Sequence, residues 1–272
     1  MDNMENAIII YVDVLGGKNL ISENPSIFFA NCQDIFCETT KTLHEVIKSQ
    51  EKTKIKNFTF SDNICIAINV EDHNIFFKRL QLGLNYVGIL QRYALMMYGY
   101  VLRGGITFGG IYFDDKLISG EPLVEAVNLE EKVAFYPRII LGDSILKKLS
   151  EEQTSELKLN NLLLLDNDFC FMVDYIGQLI RDIGMEKNDK KQLVGCTMLE
   201  HIAARIISRL NKYSQNIAVR SKWTWLAKYF MNCTMQKIDE IKFQWNSTKL
   251  CATCHENLLK LVEELERRDT GI

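Results

Sequence analysis

The chain has no basic surplus. Its 32 Lys and Arg are outnumbered by 35 Asp and Glu, leaving a formal net charge of −3. No overall positive field exists to hold duplex nucleic acid. A nucleotide substrate stays open, because metal ions neutralise phosphates locally. No apolar stretch reaches the length of a membrane span. The opening MDNMEN is acidic and polar, and the apolar run behind it is too short for a signal-peptide core with a basic flank. The expectation is a cytoplasmic protein with no membrane partner. A second cysteine pair is also missing. Among eight cysteines, Cys251 and Cys254 form the one CxxC, followed by His255. A zinc site wants four ligands, so these read as small buried thiols at a helix start, and the cysteines as reduced. Internal repeats and low-complexity tracts are absent too. What remains is 47% apolar and 25% charged residues, the composition of a soluble globular protein with a packed core.

The elements follow from periodicity. Residues 7–14 read as a strand, rich in Ile and Val and apolar on both faces, hence central in a sheet. Residues 25–48 read as a helix, with Phe28, Phe29, Cys32, Ile35, Phe36, Leu43, Val46 and Ile47 at helical spacing. After a charged connection (48–56), strands are expected at 56–61 and 64–70, joined by a tight turn at Ser61, Asp62 and Asn63. A helix over 73–96 and a strand over 99–108 follow. A hairpin or strand extension turns at Asp114-Asp115, then come a helix over 121–134 and a strand over 138–142. Two strands are expected within 155–175, around NLLLLD and FCFMVDYI. From about 176 the chain reads as helical, over 193–211, 219–235 and 256–268, with 184–192 as a polar linker. The fold class is α+β: a ferredoxin-like, palm-type βαββαβ core over 1–175 with a helical C-terminal extension over 176–272. That topology puts the end of the first strand beside the turn between the second and third, making Asp13 and Asp62 neighbours across the sheet.

Asp13 ends an apolar run, where an unpaired carboxylate costs several kcal/mol, roughly, unless something compensates it. Two such carboxylates repel unless a cation sits between them. Mg²⁺ takes one or two protein carboxylates and leaves positions for substrate phosphates, and two such ions clamp a phosphoryl displacement. Asp13 and Asp62 are the candidate ligands, with the carbonyl of Val14 as a third. Alternatively, Asp13 caps the following turn and Asp62 is a plain turn residue. Gly16, Gly17 and Lys18 follow Asp13, and glycines there let backbone N–H groups approach a phosphate. Gly104, Gly105, Gly109 and Gly110 are bulges and turns, or clearance for a base or ribose. Arg103 beside them is a nucleotide-binding candidate, or a surface or interface ion-pair partner. Trp223, Trp225 and Tyr229 on one helix read as packing rather than a stacking platform, with a place in a dimer interface open.

The segments YVDVLGGKNLI, FSDNICIAI, LRGGITFGGIYF and GEPLVEAVNLEEKVAFYPRIIL together resemble class III nucleotidyl cyclases, and within them bacterial stand-alone relatives such as the Pycsar anti-phage pyrimidine cyclases. The likeness spans the first half to two thirds of the chain. It implies an aromatic-x-Asp metal motif at Tyr11-Val12-Asp13, a second metal Asp at Asp62, and an Arg-x-Gly-Ile strand at Arg103-Gly104-Gly105-Ile106. It also implies a helix ending in a Leu-Glu pair at Leu129-Glu130. The reaction implied is attack of a nucleoside triphosphate's ribose 3′-oxygen on its own α-phosphate with loss of pyrophosphate. Two Mg²⁺ or Mn²⁺ ions serve it, at sites shared between the subunits of a homodimer.

This sequence also departs from the family. Ser61 stands where many members have Gly. The ribose Asn and phosphate Arg of the last helix fall near Val124 and Asn128, so that pair is unmatched. Glu125, Asn128 and Lys132 are the polar candidates there, Lys132 as a point charge in the Arg's place or as a solvated face residue. No base-selecting residue can be placed. Two other functions stay open: a palm-type synthase of linked or cyclic oligonucleotides, and a non-catalytic nucleotide sensor or scaffold.

Overall fold

The structure is a computed structural model, which describes residues 4–48, 55–114 and 116–245 together with Lys260, Glu263 and Arg267. The last three positions are helical. The rest of the expected 256–268 helix lies outside the described residues, as do Cys251, Cys254, His255 and Asp115. The described chain forms two compact units: one of residues up to Ala94 and Tyr100–Asp174, the other of Leu95–Gly99 and the chain from Tyr175 onward.

The first unit is built on a mixed sheet. Strand β1 (Met4–Val14) lies between β3 (Asn63–Asn69) and β4 (Leu102–Phe113), antiparallel to both, and β2 (Ile55–Phe60) pairs antiparallel outside β3. The short β5 (Ile118–Ser119) folds back on β4 as a hairpin. Strand β6 (Ile139–Leu141) then runs parallel to β4, and β8 (Phe171–Val173) and β7 (Leu163–Leu165) complete the other side. The order β2-β3-β1-β4 is that of the split βαββαβ palm, and the molecule is α+β.

β1 is central because it is apolar on both faces. Ala7, Ile8, Ile9, Ile10 and Val12 are fully buried, each large side chain contributing roughly 1.5–3 kcal/mol. Alternation sends Ala7, Ile9 and Tyr11 to one face, where they pack with Cys65, Ala67, Ile111 and Ala126 of α4 (Glu121–Lys132). Ile10 and Ile68 lie on the other face, against Gly83 of α3 (Phe76–Tyr93).

Several expectations need correction. A short helix, α1 (Gly17–Glu23), precedes α2 (Pro25–Lys48), ahead of the first helix expected over 25–48. The 73–96 helix is α-helical only in α3. It opens with a 3₁₀ turn (His73–Ile75) and ends in a π-helical turn (Ala94–Tyr98) closed by Gly99 in the left-handed region (φ 64°). β4 starts at Leu102, later than expected, and runs unbroken through Gly109 and Gly110. After β6 comes a helical stretch, α5 (Asp143–Leu146) and α6 (Glu151–Leu159). The latter starts with a Ser150–Gln153 capping box and takes up the front of the span expected to hold strands. In the second unit, α7 (Tyr175–Met185), α8 (Asp189–Lys212) and α9 (Ile217–Trp245) leave only 186–188 of the expected 184–192 linker non-helical. The polar tract is instead the exposed first turn of α8, because the Asn188 side chain accepts the N–H groups of Lys190 and Lys191. No helix among the described residues is long and apolar enough to cross a membrane.

Candidate active site

Asp13 is the last polar position on the α4 face of β1, two residues beyond Tyr11. Its cross-strand neighbours are Asn63 on β3 and Arg103 on β4. Asp62 occupies the β2–β3 turn, where its carbonyl accepts the Val14 N–H at 3.3 Å. The sheet thus brings Asp13 and Asp62 together at the carboxyl end of the central strand. The turn also explains Ser61, whose φ of 57° lies in the left-handed region where glycine is the natural occupant.

The glycines after Asp13 do two different jobs. Gly16 takes φ 88° with open space around it, so its conformation demands glycine. Gly17 demands glycine for room: a Cβ there would lie 2.0 Å from Oδ2 of Asp62. The Asp62 carboxylate therefore lies directly over the Gly17 backbone. Lys18 is exposed, with its carbonyl accepting the Ser22 hydroxyl.

Arg103 sits at the centre of the polar cluster. Its Nε donates to Oδ2 of Asp13 at 3.1 Å, Nη2 pairs with Oε1 of Glu130, and Nη1 donates to the Glu130 carbonyl at 3.3 Å. These ion pairs make Arg103 an ion-pair partner within its own chain, and they occupy its guanidinium. Glu130 side-chain exposure is 6% and that of Asp13 is 14%, so the carboxylates face little water. Burial raises the Asp13 carboxyl above the usual carboxylate range; Arg103 opposes the rise and Asp62 adds to it. Burial likewise pushes Glu130 up to about 7, against Arg103 and with the help of Asp13's charge. One guanidinium does not neutralise this group. Tyr11 donates its hydroxyl to Oδ1 of Asn63 at 3.0 Å, and Nδ2 of Asn63 reaches Oδ1 of Asp62 at 3.4 Å. Burial raises the Tyr11 phenol and pushes the nearby Cys32 thiol up to about 12, so both stay protonated.

The helix candidates are not brought to this cluster. Asn128 and Lys132 flank Glu130 at two residues either side, about 200° around α4, so they point away from it. Nζ of Lys132 donates to Oδ1 of Asn128 at 2.6 Å, and Nδ2 of Asn128 donates to the Val124 carbonyl at 2.9 Å. Glu125 accepts the Ser144 N–H at 3.2 Å, at the start of α5. The β4 glycines are neither turns nor clearance for a ligand. A Cβ on Gly104 would meet the Tyr11 carbonyl at 2.0 Å, one on Gly105 the Ala126 carbonyl at 2.8 Å, and one on Gly109 the Pro122 ring at 2.8 Å. They let the protein's own backbone and α4 close on the strand. In the helical unit, Tyr229 accepts the Ile176 N–H at 3.0 Å and stacks on Trp225, while Trp223 is buried, which is packing.

Glu130 is the member that residue patterns did not mark as a site residue. Its signal was the Leu129-Glu130 pair, together with a charge at a position whose helical neighbour Ala126 is core.

Hard oxygen donors with surplus negative charge fit a divalent cation such as Mg²⁺ or Mn²⁺, to which Asp13, Asp62 and the Val14 carbonyl are the available ligands. Among the described residues, no three His, Cys, Asp or Glu side chains form a ready metal cage, so any such ion would draw its further ligands from substrate or water.

Among solved structures, the chain is similar to the adenylyl cyclase CyaB from P. aeruginosa (TM-score 0.44, 13% identity, 63% of this chain and 94% of that one). It is also similar to a class III adenylyl cyclase-like ATP-binding protein from Pseudomonas aeruginosa (TM-score 0.41, 12% identity, 63% of this chain), of which it spans only 39%. No family model and no curated protein matches the chain.

Proposed function

We propose that this chain is a nucleotidyl cyclase, converting a nucleoside triphosphate to a 3′,5′-cyclic nucleotide and pyrophosphate. One observation carries the reading. Asp13 and Asp62 meet at the end of the central palm strand with more negative charge than Arg103 offsets, beside the Gly16-Gly17 turn. In this reading Asp13, Asp62 and the Val14 carbonyl hold the cations. Gly16 and Gly17 bring backbone close to the triphosphate, with Lys18 at their edge. Bound Mg²⁺ or Mn²⁺ supplies charge neutralisation at phosphate oxygens and acidifies the attacking hydroxyl. Asn128 and Lys132 face away from their own chain's carboxylates, so they would act on the substrate of a second copy, in a homodimer. The pyrimidine preference and an anti-phage signalling role rest on the motif resemblance alone.

A specific observation favours a second reading, a nucleotide-binding sensor without turnover. Arg103 is occupied by Asp13 and Glu130, and Lys132 by Asn128, so neither is a ready transition-state cation.

The test is to incubate the purified protein with each of ATP, GTP, CTP and UTP plus Mn²⁺ and resolve products by mass, with Asp13→Ala and Asp62→Ala alongside. One cyclic mononucleotide, absent in both variants, is the expected result and names the base. A linked or cyclic oligonucleotide would move the chain to the synthase class. Nucleotide binding without any product would leave the sensor.

A further inference from the structure

We infer that Glu130 is a positioning residue: by taking half of the Arg103 fork, it keeps the guanidinium from closing on both oxygens of Asp13, so that a divalent cation need not displace a bidentate arginine. The inference rests on the reading of Asp13 and Asp62 as cation ligands. Its basis is how the guanidinium is shared. An arginine facing a lone carboxylate prefers to bind both oxygens through two parallel N–H bonds. Here the Nε and Nη2 edge is split between two acids: Nε reaches Oδ2 of Asp13 at 3.1 Å, and Nη2 reaches Oε1 of Glu130. Nη1 is tied to the Glu130 main chain at 3.3 Å, so the guanidinium is anchored on α4 and reaches β1 by one contact.

α4 itself is fixed. It lies so close to β4 that a Cβ on Gly105 would be 2.8 Å from the Ala126 carbonyl and 2.9 Å from Cβ of Leu129, the residue before Glu130. Glu130 side-chain exposure is 6% and Arg103 exposure is 24%, so the pairing acts at low dielectric and little water competes for it. Without the Glu130 acceptor, the fork would close on both oxygens of Asp13. A cation would then have to displace a buried, bidentate arginine. With Glu130 present, Arg103 is already half satisfied elsewhere, and Asp13 takes one Arg103 bond beside its hydrogen bond with Glu130.

This differs in sign from a structural role. If Glu130 only held α4 in place, removing Arg103 as well would not repair its loss. If Glu130 restrains Arg103, removing Arg103 relieves the defect. The experiment measures Mn²⁺ affinity of the full chain from the free-Mn²⁺ electron paramagnetic resonance signal, for wild type, D13N, E130Q, R103M and R103M/E130Q. The expected pattern is a loss of about tenfold in E130Q, equivalent to ~1.4 kcal/mol, and recovery to wild-type affinity or tighter in R103M/E130Q. Wild-type affinity in E130Q would overturn the inference, as would a double variant that binds no tighter than E130Q. The double variant leaves no partner stranded between these two residues. It therefore stands in should E130Q not fold, and binding weaker than wild type would then count against the inference. D13N separates the two levels. Unchanged Mn²⁺ affinity there overturns the cation reading and this inference with it. Loss in D13N beside no change in E130Q overturns the inference alone.

Discussion

The first unit holds two arginines that each face two acids, and they behave oppositely. Arg138, 1% exposed, pairs with Asp166 through Nη1 and with Asp168 through Nη2, while a further Nη1 bond reaches Oδ1 of Asp168 at 2.8 Å. Its Nη2 also donates to the Val133 carbonyl at 3.3 Å. Here the arginine is buried and one of its acids, Asp168, lies toward water, and the Asp168 carboxyl is held below its ordinary range chiefly by the Arg138 bond. In the Arg103 cluster the arginine is the more exposed member, the acids are buried, and their carboxyls rise. The first arrangement is structural: it fastens the β7–β8 turn to the residue that leads into β6, with only Nε of the guanidinium left over. The second has a positive charge missing, and unmet electrostatics of that kind mark places where something binds.

The contrast breaks most visibly on removing each arginine. Arg138→Met strands Asp166 and Asp168 around a buried apolar side chain and should cost about 3 kcal/mol, the lower end for a broken buried ion pair because Asp168 is half exposed. Urea unfolding should show the loss, unchanged by Mn²⁺. Arg103→Met should cost less, and saturating Mn²⁺ should restore the stability. Equal losses that both ignore Mn²⁺ would erase the distinction between the two clusters.

The two glycines beneath Asp62 sharpen the comparison from the functional side. Gly16→Ala forces a Cβ into the left-handed region and should cost about 1–2 kcal/mol of stability, with little change in metal affinity. Gly17→Ala carries no such backbone demand but puts a Cβ on the Asp62 carboxylate. It should leave the melting temperature nearly intact and weaken Mn²⁺ binding about tenfold, a shift of ~1.4 kcal/mol. Swapped phenotypes would mean that Asp62 is only a turn residue.

The sequence showed where the carboxylates meet but not how they are held. Asp13 at the end of the apolar run and Ser61-Asp62-Asn63 between two strands were legible because periodicity and turn chemistry are local. The order β2-β3-β1-β4 followed from the succession of elements. Arg103 and Asp13, 90 positions apart, needed the register of β1 on β4, which no local signal carries. Glu130 needed the phase of α4 over that strand. The same phase turned Asn128 and Lys132, chosen for their chemistry, away from the cluster. Leu95–Gly99 joined the helical unit for an equally remote reason. The π-helical turn leaves the carbonyls of Met97, Tyr98 and Gly99 to Arg205 and Arg209, more than a hundred positions away.

The opposite displacements of the acids predict opposite pH slopes. A carboxyl raised in the folded state binds its proton more tightly there than in the unfolded chain. Its contribution is complete below its ordinary range and is lost as pH rises through the folded value. Glu130, ordinarily 4.5 and here about 7, should therefore make stability fall across that window, and E130Q should flatten the fall. Asp168 is lowered, so its contribution exists above its ordinary 3.8 and disappears on acidification; D168N should flatten that limb alone. Melting curves of both variants from pH 4 to 8 would show it. A fall of stability between pH 5 and 7 that survives in E130Q would assign the slope elsewhere.

The smallest effects concern the turns that present these acids. Each cluster has a non-glycine residue in the left-handed region beside one of its carboxylates: Ser61 (φ 57°) before Asp62, and Phe169 (φ 63°) after Asp168. A side chain in that region costs roughly 1–2 kcal/mol, part of which glycine returns as extra freedom in the unfolded chain. Phe169 is 84% exposed, so its ring contributes little packing, and Ser61 is exposed as well. Ser61→Gly and Phe169→Gly should each gain about 0.5 kcal/mol, a rise of roughly 1–2 °C in melting temperature for a chain of this size. Their difference should appear in binding. Phe169→Gly loosens a turn whose acid is already clamped by Arg138, and Mn²⁺ affinity should not move. Ser61→Gly loosens the turn carrying Asp62, whose carboxylate accepts a 3.4 Å bond from the neighbouring Asn63 and lies over Gly17, so affinity should fall even as stability rises. A gain in stability with unchanged affinity in both variants would show that the Asp62 turn is as inert as the Asp168 turn, and that the surplus charge beside Arg103 does not depend on how Asp62 is presented.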